Sequence, residues 1–112
     1  YVNYLKYMER ARTEFMRSLG FDKPAISDEG LLMVVHSANV NYKSPARLDD
    51  LITVSAEISD CRRSYMVFSQ KVWRGDTLLC DGQIKVACVK GDTMRPCALP
   101  GEIREAIASI VR

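Results

Sequence analysis

Residues able to do chemistry are few in this 112-residue chain, and they are scattered. His36 is the one imidazole, Cys61, Cys80, Cys88 and Cys97 are the thiols, and Glu9 and Glu14 are the acids of an amphipathic opening segment. Metal binding fails on spacing: the cysteines lie 19, 8 and 9 residues apart, unlike paired CxxC ligands, and a single His cannot complete a set. Cys80 and Cys88 alternate on an apolar face with Leu78, Ile84 and Val86, so they read as small hydrophobes rather than nucleophiles. His36 shares a face with Leu32, Val34, Ala38 and Val40, which favours a hydrogen-bonded interior or interface residue over a general base. Arg62-Arg63 places two guanidinium groups in one turn. Such a pair is what a solvated hairpin end contains, and its planar groups suit charge-assisted contacts.

These residues must be positioned by elements that the periodicity defines. Tyr4, Leu5, Met8, Ala11, Phe15, Met16 and Leu19 recur at three- and four-residue spacings, which predicts a helix over Tyr4–Leu19, capped by Asn3 and ended by Gly20. Asp22 to Gly30 reads as a loop with a short helical turn around Ile26. The period then becomes two. Strands are predicted over Leu32–Tyr42, Leu51–Asp60, Ser64–Arg74 and Thr77–Lys90, the last two joined through Gly75-Asp76 as a hairpin. Pro45 breaks the chain after the first strand, Pro96 and Pro100 bracket a linker, and Ile103, Ala106, Ile107, Ile110 and Val111 give a closing helix. One helix followed by four strands with short connections predicts an α+β domain, an antiparallel meander packed on the helix.

Composition narrows the classes of function. With 16 Lys+Arg against 14 Asp+Glu, the formal charge is +2 and no basic stripe for nucleic acid emerges. At this length folding buries roughly two-thirds of the unfolded surface, enough for one core and too little for a second domain. No apolar run reaches the roughly 18 residues of a membrane span, and the cysteine usage without a secretory start suggests reduced thiols and the cytoplasm. Four strands with aliphatic residues on both faces exceed what one helix covers, so a homo-oligomer is expected.

The run Tyr1-Val2-Asn3-Tyr4-Leu5-Lys6-Tyr7-Met8-Glu9-Arg10-Ala11-Arg12-Thr13-Glu14 resembles the helix of hotdog-fold acyl-CoA thioesterases, in the Tol–Pal-associated and 4-hydroxybenzoyl-CoA thioesterase branch. Tyr42-Lys43-Ser44-Pro45-Ala46-Arg47-Leu48-Asp49-Asp50 resembles the same branch's strand-loop-strand motif, and the order of elements agrees from residue 1 to about residue 100. The resemblance implies a hotdog fold, an antiparallel sheet wrapped around a long central helix. It implies one domain over residues 1–112, lacking the family's N-terminal strand.

The family's catalytic Asp lies just upstream of the position that Tyr1 matches, so no residue of this sequence takes that role. Tyr1 corresponds to the residue whose backbone N–H polarises the thioester carbonyl, a task suited to a helix N-terminus with its unpaired donors and partial positive charge. In much of the Tol–Pal-associated branch this position resembles His, so Tyr1 departs toward the benzoyl-type pattern. Asn3 and Tyr4 match the acyl-pocket motif, Arg62 and Arg63 a basic pair that contacts the nucleotide phosphates of coenzyme A, and Arg95 another basic position near them. Glu9 matches a structural ion pair with Arg12 or Arg10. The expected activity is acyl-CoA hydrolysis without metal or cofactor, with acyl carrier protein as a further partner. Two alternatives share the frame: a non-catalytic acyl-CoA or acyl-carrier-protein binding module, and a hotdog dehydratase, whose His and facing acid His36 alone does not supply.

Overall fold

The computed structural model describes residues 4–21, 30–45 and 51–110. Six elements run in order: α1 (Tyr4–Ser18), β1 (Leu31–Tyr42), β2 (Ile52–Cys61), β3 (Tyr65–Arg74), β4 (Thr77–Lys90) and α2 (Gly101–Ala108). Tyr1, Asn3, Arg47 and the turn expected around Ile26 lie outside the described residues. The predicted end of α1 is observed in detail. Gly20 adopts φ +94, its N–H donates to the Arg17 carbonyl at 2.9 Å, and the Phe21 N–H donates to the Met16 carbonyl at 3.0 Å. This pair of bonds satisfies carbonyls that a helix end otherwise leaves unpaired, and only a residue without a Cβ takes that φ readily.

The strands form one antiparallel sheet in the order β1-β4-β3-β2. The expected meander holds for β2, β3 and β4 but not for β1, which pairs with β4 from Leu31↔Lys90 to Tyr42↔Cys80. β1 and β2 therefore occupy opposite edges. The two longest strands find each other because their pairing satisfies the greatest number of backbone groups. The chain leaves β1 through Lys43 and Ser44, whose N–H groups both donate to the Leu79 carbonyl, at 2.8 and 3.1 Å.

Three bulges correct the face assignments. The register slips between Val35 and Ser37, making His36 an extra residue, exposed on the edge strand rather than interior. Leu31 and Met33 before the bulge thus share the inner face with Val40 after it. A slip between Val72 and Trp73 leaves Leu79 as the extra residue of β4. Leu79 is buried in the core and Leu78 pairs with Trp73 on the other face, whereas Cys80, Ile84, Val86 and Cys88 point inward as expected. The third bulge falls between Ile58 and Asp60. One inserted residue reverses which side chains face in, because the strand period is two.

α1 lies across the inner face. Met8, Met66, Phe68, Val72 and Ile84 are buried together, and Phe15 meets Phe68 edge to face with centroids 5.7 Å apart. Gly82 has no Cβ to hold the helix off; one built there would sit 3.3 Å from Val40 Cγ2 and 3.5 Å from Met8 Cε. α2 starts at Gly101, before the predicted Ile103, and closes the far end of the core with Ile103 and Ile107. Among the described residues no helix is long and apolar enough to cross a membrane.

Candidate active site

The start of α1 is fixed to the sheet by a single aromatic residue. Tyr4 is buried, its hydroxyl donates to the Ser44 carbonyl at 2.8 Å, and its ring stacks on Tyr42 with centroids 5.7 Å apart. Tyr42 itself is 63% exposed, so this end of α1 is walled on one side by an aromatic surface open to solvent. The first turn of α1 carries no acidic side chain to neutralise the partial positive charge of the helix end. Tyr4 thus anchors the positively polarised end of α1 against the start of the segment that follows β1.

Arg62, Arg63 and Arg95 lie at the opposite end of the sheet. Tyr42 pairs with Cys80 on β4, whereas Tyr65, beside the Arg62-Arg63 turn, pairs with Ala87. Seven residues of β4 separate the two, about 24 Å at the strand rise of about 3.4 Å per residue. Within one chain the structure does not bring the two halves of the expected site together.

The basic end has its own organisation. Arg62 Nε donates to Asp60 Oδ2 at 3.0 Å, an exposed pair in which the hydrogen bond raises the guanidinium pKa. The Arg63 carbonyl accepts the Leu99 N–H at 2.7 Å, which holds the segment entering α2 against the β2–β3 turn. Between that turn and α2 lies a groove of ≈ 590 Å³ lined by Asp60, Arg62, Arg63, Arg104 and Glu105 among others. Arg104 went unrecognised in the sequence. The Ile103/Ile107 stripe implies that Gly101, Arg104 and Ala108 lie off the core face, but nothing local says that this flank meets the arginine turn. Cys61, half-buried in the same groove, is held as a thiol chiefly by burial, with Asp60 adding and Arg104 opposing. Arg95 lies outside the groove, in the turn after β4, with its carbonyl accepting the Lys90 N–H at 2.9 Å.

The remaining candidates are placed as follows. Glu9 makes no ion pair within 4.0 Å among the described residues, and Arg12 instead donates to Gln70 Oε1 at 2.8 Å. The reason is that α1 turns Arg12 toward the sheet, where burial lowers its pKa against the opposing charge of Glu9. Glu14 is exposed and pairs with Arg17 at 2.8 Å, beside a groove of ≈ 490 Å³ between α1 and β2. No cluster of three or more His, Cys, Asp or Glu suited to a metal forms among the described residues.

A family model described as the thioesterase superfamily matches residues 1–81, which spans the start of α1 and the turn it rests on. The chain is 36% identical over 107 residues to "Acyl-CoA thioesterase YbgC" of Haemophilus influenzae, covering 95% of this chain and 79% of that one. It is 38% identical over 104 residues to "Acyl-CoA thioester hydrolase YbgC" of Escherichia coli O6:H1, covering 92% and 78%. Among solved structures it is similar to a DHNA-CoA thioesterase from Staphylococcus aureus. The TM-score is 0.88 and the identity 25%, over 96% of this chain and 75% of that one.

Proposed function

The chain belongs to the thioesterase superfamily and is an acyl-CoA thioester hydrolase, and we propose that the N-terminus of α1 activates the thioester while the arginine end of the sheet holds the nucleotide. The observation that carries this reading is the match over residues 1–81, because it includes the helix start whose anchoring by Tyr4 the fold makes explicit.

In the proposed reaction the backbone N–H at Tyr1 and the helix charge polarise the thioester carbonyl. Attack at that carbon, by water or by a carboxylate that water later displaces, develops an oxyanion facing those donors, and the sulfur departs as the coenzyme A thiol. Following the family resemblance, that carboxylate corresponds to an Asp just before the position that Tyr1 matches, and the first turn of α1 offers no acid in its place. Arg63 and Arg62 bind phosphate through charge-assisted contacts, with Arg95 nearby.

A separation of about 24 Å between the two ends favours assembly of the site from more than one copy. Consistent with that, β1 is an open edge whose Val35 and Tyr42 are 53% and 63% exposed, a surface suited to pairing with a second chain.

Thiol release from short, medium and aromatic acyl-CoAs tests this directly. Turnover supports the hydrolase, and its loss on dilution below the assembly threshold supports a shared site. Tight coenzyme A binding with no thiol release from any thioester, by a chain that includes the residues preceding Tyr1, would overturn the catalytic reading in favour of a binding module.

A further inference from the structure

The sulfurs of Cys88 and Cys97 stand 3.3 Å apart. The fold arranges this through the backbone. After β4 the chain reverses over residues 91–95, with Met94 at φ 58 and its N–H donating to the Lys90 carbonyl at 2.7 Å. Val89 then bridges Pro96 in antiparallel fashion, and the Cys97 N–H donates to the Cys88 carbonyl at 2.9 Å. The two cysteines are therefore directly opposed, and such residues have Cα atoms about 5.5 Å apart, within the span of a disulfide.

Their environments differ. Cys88 is fully buried in the core, whereas Cys97 is half-buried and reachable from solvent. We propose that Cys88 and Cys97 form a dithiol modification site, in which a peroxide oxidises Cys97 and Cys88 closes an intrachain disulfide.

The steps balance. The Cys97 thiol and hydrogen peroxide give a sulfenic acid and one water. The Cys88 sulfur then attacks the Cys97 sulfur, the S–S bond forms, and the hydroxyl leaves with the Cys88 proton as a second water. Two electrons leave the sulfur pair and reduce the peroxide. The order follows from burial, which together with the hydrogen bond to Cys97 pushes the Cys88 thiol up to about 12, so the half-buried, more accessible Cys97 is attacked first. Closure would tie β4 to the segment whose Leu99 N–H holds the Arg63 carbonyl, and thus fix the strap beside the arginine turn. Thiol reductants would reverse it.

The folded protein is treated with hydrogen peroxide, alkylated and mapped without reduction. Trypsin cuts after Lys90 and resists the Arg95-Pro96 bond, so the pair falls on peptides 86–90 and 91–104. A cross-link between these peptides, reversed by dithiothreitol and accompanied by loss of two of the four free thiols, is expected. Cys97→Ser should leave Cys88 reduced, and Cys88→Ala, checked for folding by circular dichroism, should leave a sulfenic acid at Cys97 that dimedone traps. Cys97 advancing to sulfinic acid in the wild-type protein with no cross-link would overturn the proposal, as would Cys61 oxidising at doses that spare the pair.

Discussion

The side-chain amide of Gln70, fully buried on β3, donates to the Met8 carbonyl of α1 at 2.8 Å and so fastens the helix to the sheet at its middle. Its oxygen accepts Arg12 Nη1 at 2.8 Å, so one buried amide joins a helix carbonyl and a half-buried guanidinium. Replacing Gln70 with Met keeps the volume and removes its hydrogen bonds to the Met8 and Ser55 carbonyls and from Arg12. A buried polar group left unpaired costs about 1–3 kcal/mol. Gln70→Met should therefore lower Tm by roughly 4–8 °C per kcal/mol lost. A melting curve that matches wild type would remove this tether from the account.

Tyr4→Phe tests the other attachment of α1. It deletes the hydroxyl that donates to the Ser44 carbonyl and keeps the ring that stacks on Tyr42. The expected stability loss is about 1 kcal/mol, typical of one hydrogen bond. If the helix start activates the thioester, kcat falls while KM changes little, because a helix start held less firmly misplaces the donors that meet the oxyanion in the transition state. Steady-state kinetics separate the two constants.

Arg63→Ala and Arg104→Ala open the groove beneath the β2–β3 turn. Loss of a charge-assisted phosphate contact, about 1.5–3 kcal/mol, raises KM for acyl-CoA at least tenfold with kcat preserved. The same variants should hydrolyse the matching acyl-pantetheine, which lacks the nucleotide, as well as wild type does. Equal losses on both substrates would place the arginines outside nucleotide recognition.

Alkaline stability follows from Cys88. Its pKa is raised from 9.0 to about 12 by burial first and by the hydrogen bond to Cys97 second. Between those values the unfolded chain releases a proton that the folded chain keeps, so the folded state binds more protons and stability falls as pH rises. Urea midpoints measured from pH 8 to 11 should decline less steeply in Cys88→Ala than in wild type. Identical slopes would show that other groups account for the decline.

Gly91 sets the joint between β1 and β4. Its N–H donates to the Gly30 carbonyl at 2.8 Å, and a Cβ built on it would lie 2.9 Å from that same oxygen. Backbone must move to admit it. Gly91→Ala should cost about 1–3 kcal/mol, in the range of overpacked sites, and chemical denaturation measures it.

Much of this was readable from residue order alone. The apolar spacing of Met8, Phe15 and Met16 defined α1, Gly20 marked its end, and Gly75-Asp76 marked the β3–β4 hairpin, because propensity, capping and turn chemistry act over a few neighbouring residues. Arg62-Arg63 was legible as a basic turn for the same reason, and its phosphate role came only from the family resemblance. The bulges were not, since Leu31 to Val35 are apolar on both faces and no side chain there declares which residue is extra.

Pairing of β1 with β4 instead of β2, the insertion of Gln70 beneath Met8, the meeting of Arg104 with the arginine turn and the contact between Cys88 and Cys97 were settled by tertiary structure. Each joins residues through backbone pairing or packing between different elements, and those energies depend on three-dimensional register, which local sequence does not encode. The sequence determined which elements form and which chemical groups they carry. Only the folded sheet decided that the helix start and the arginines stand at opposite ends of it, because the pairing registers set them seven residues apart along β4.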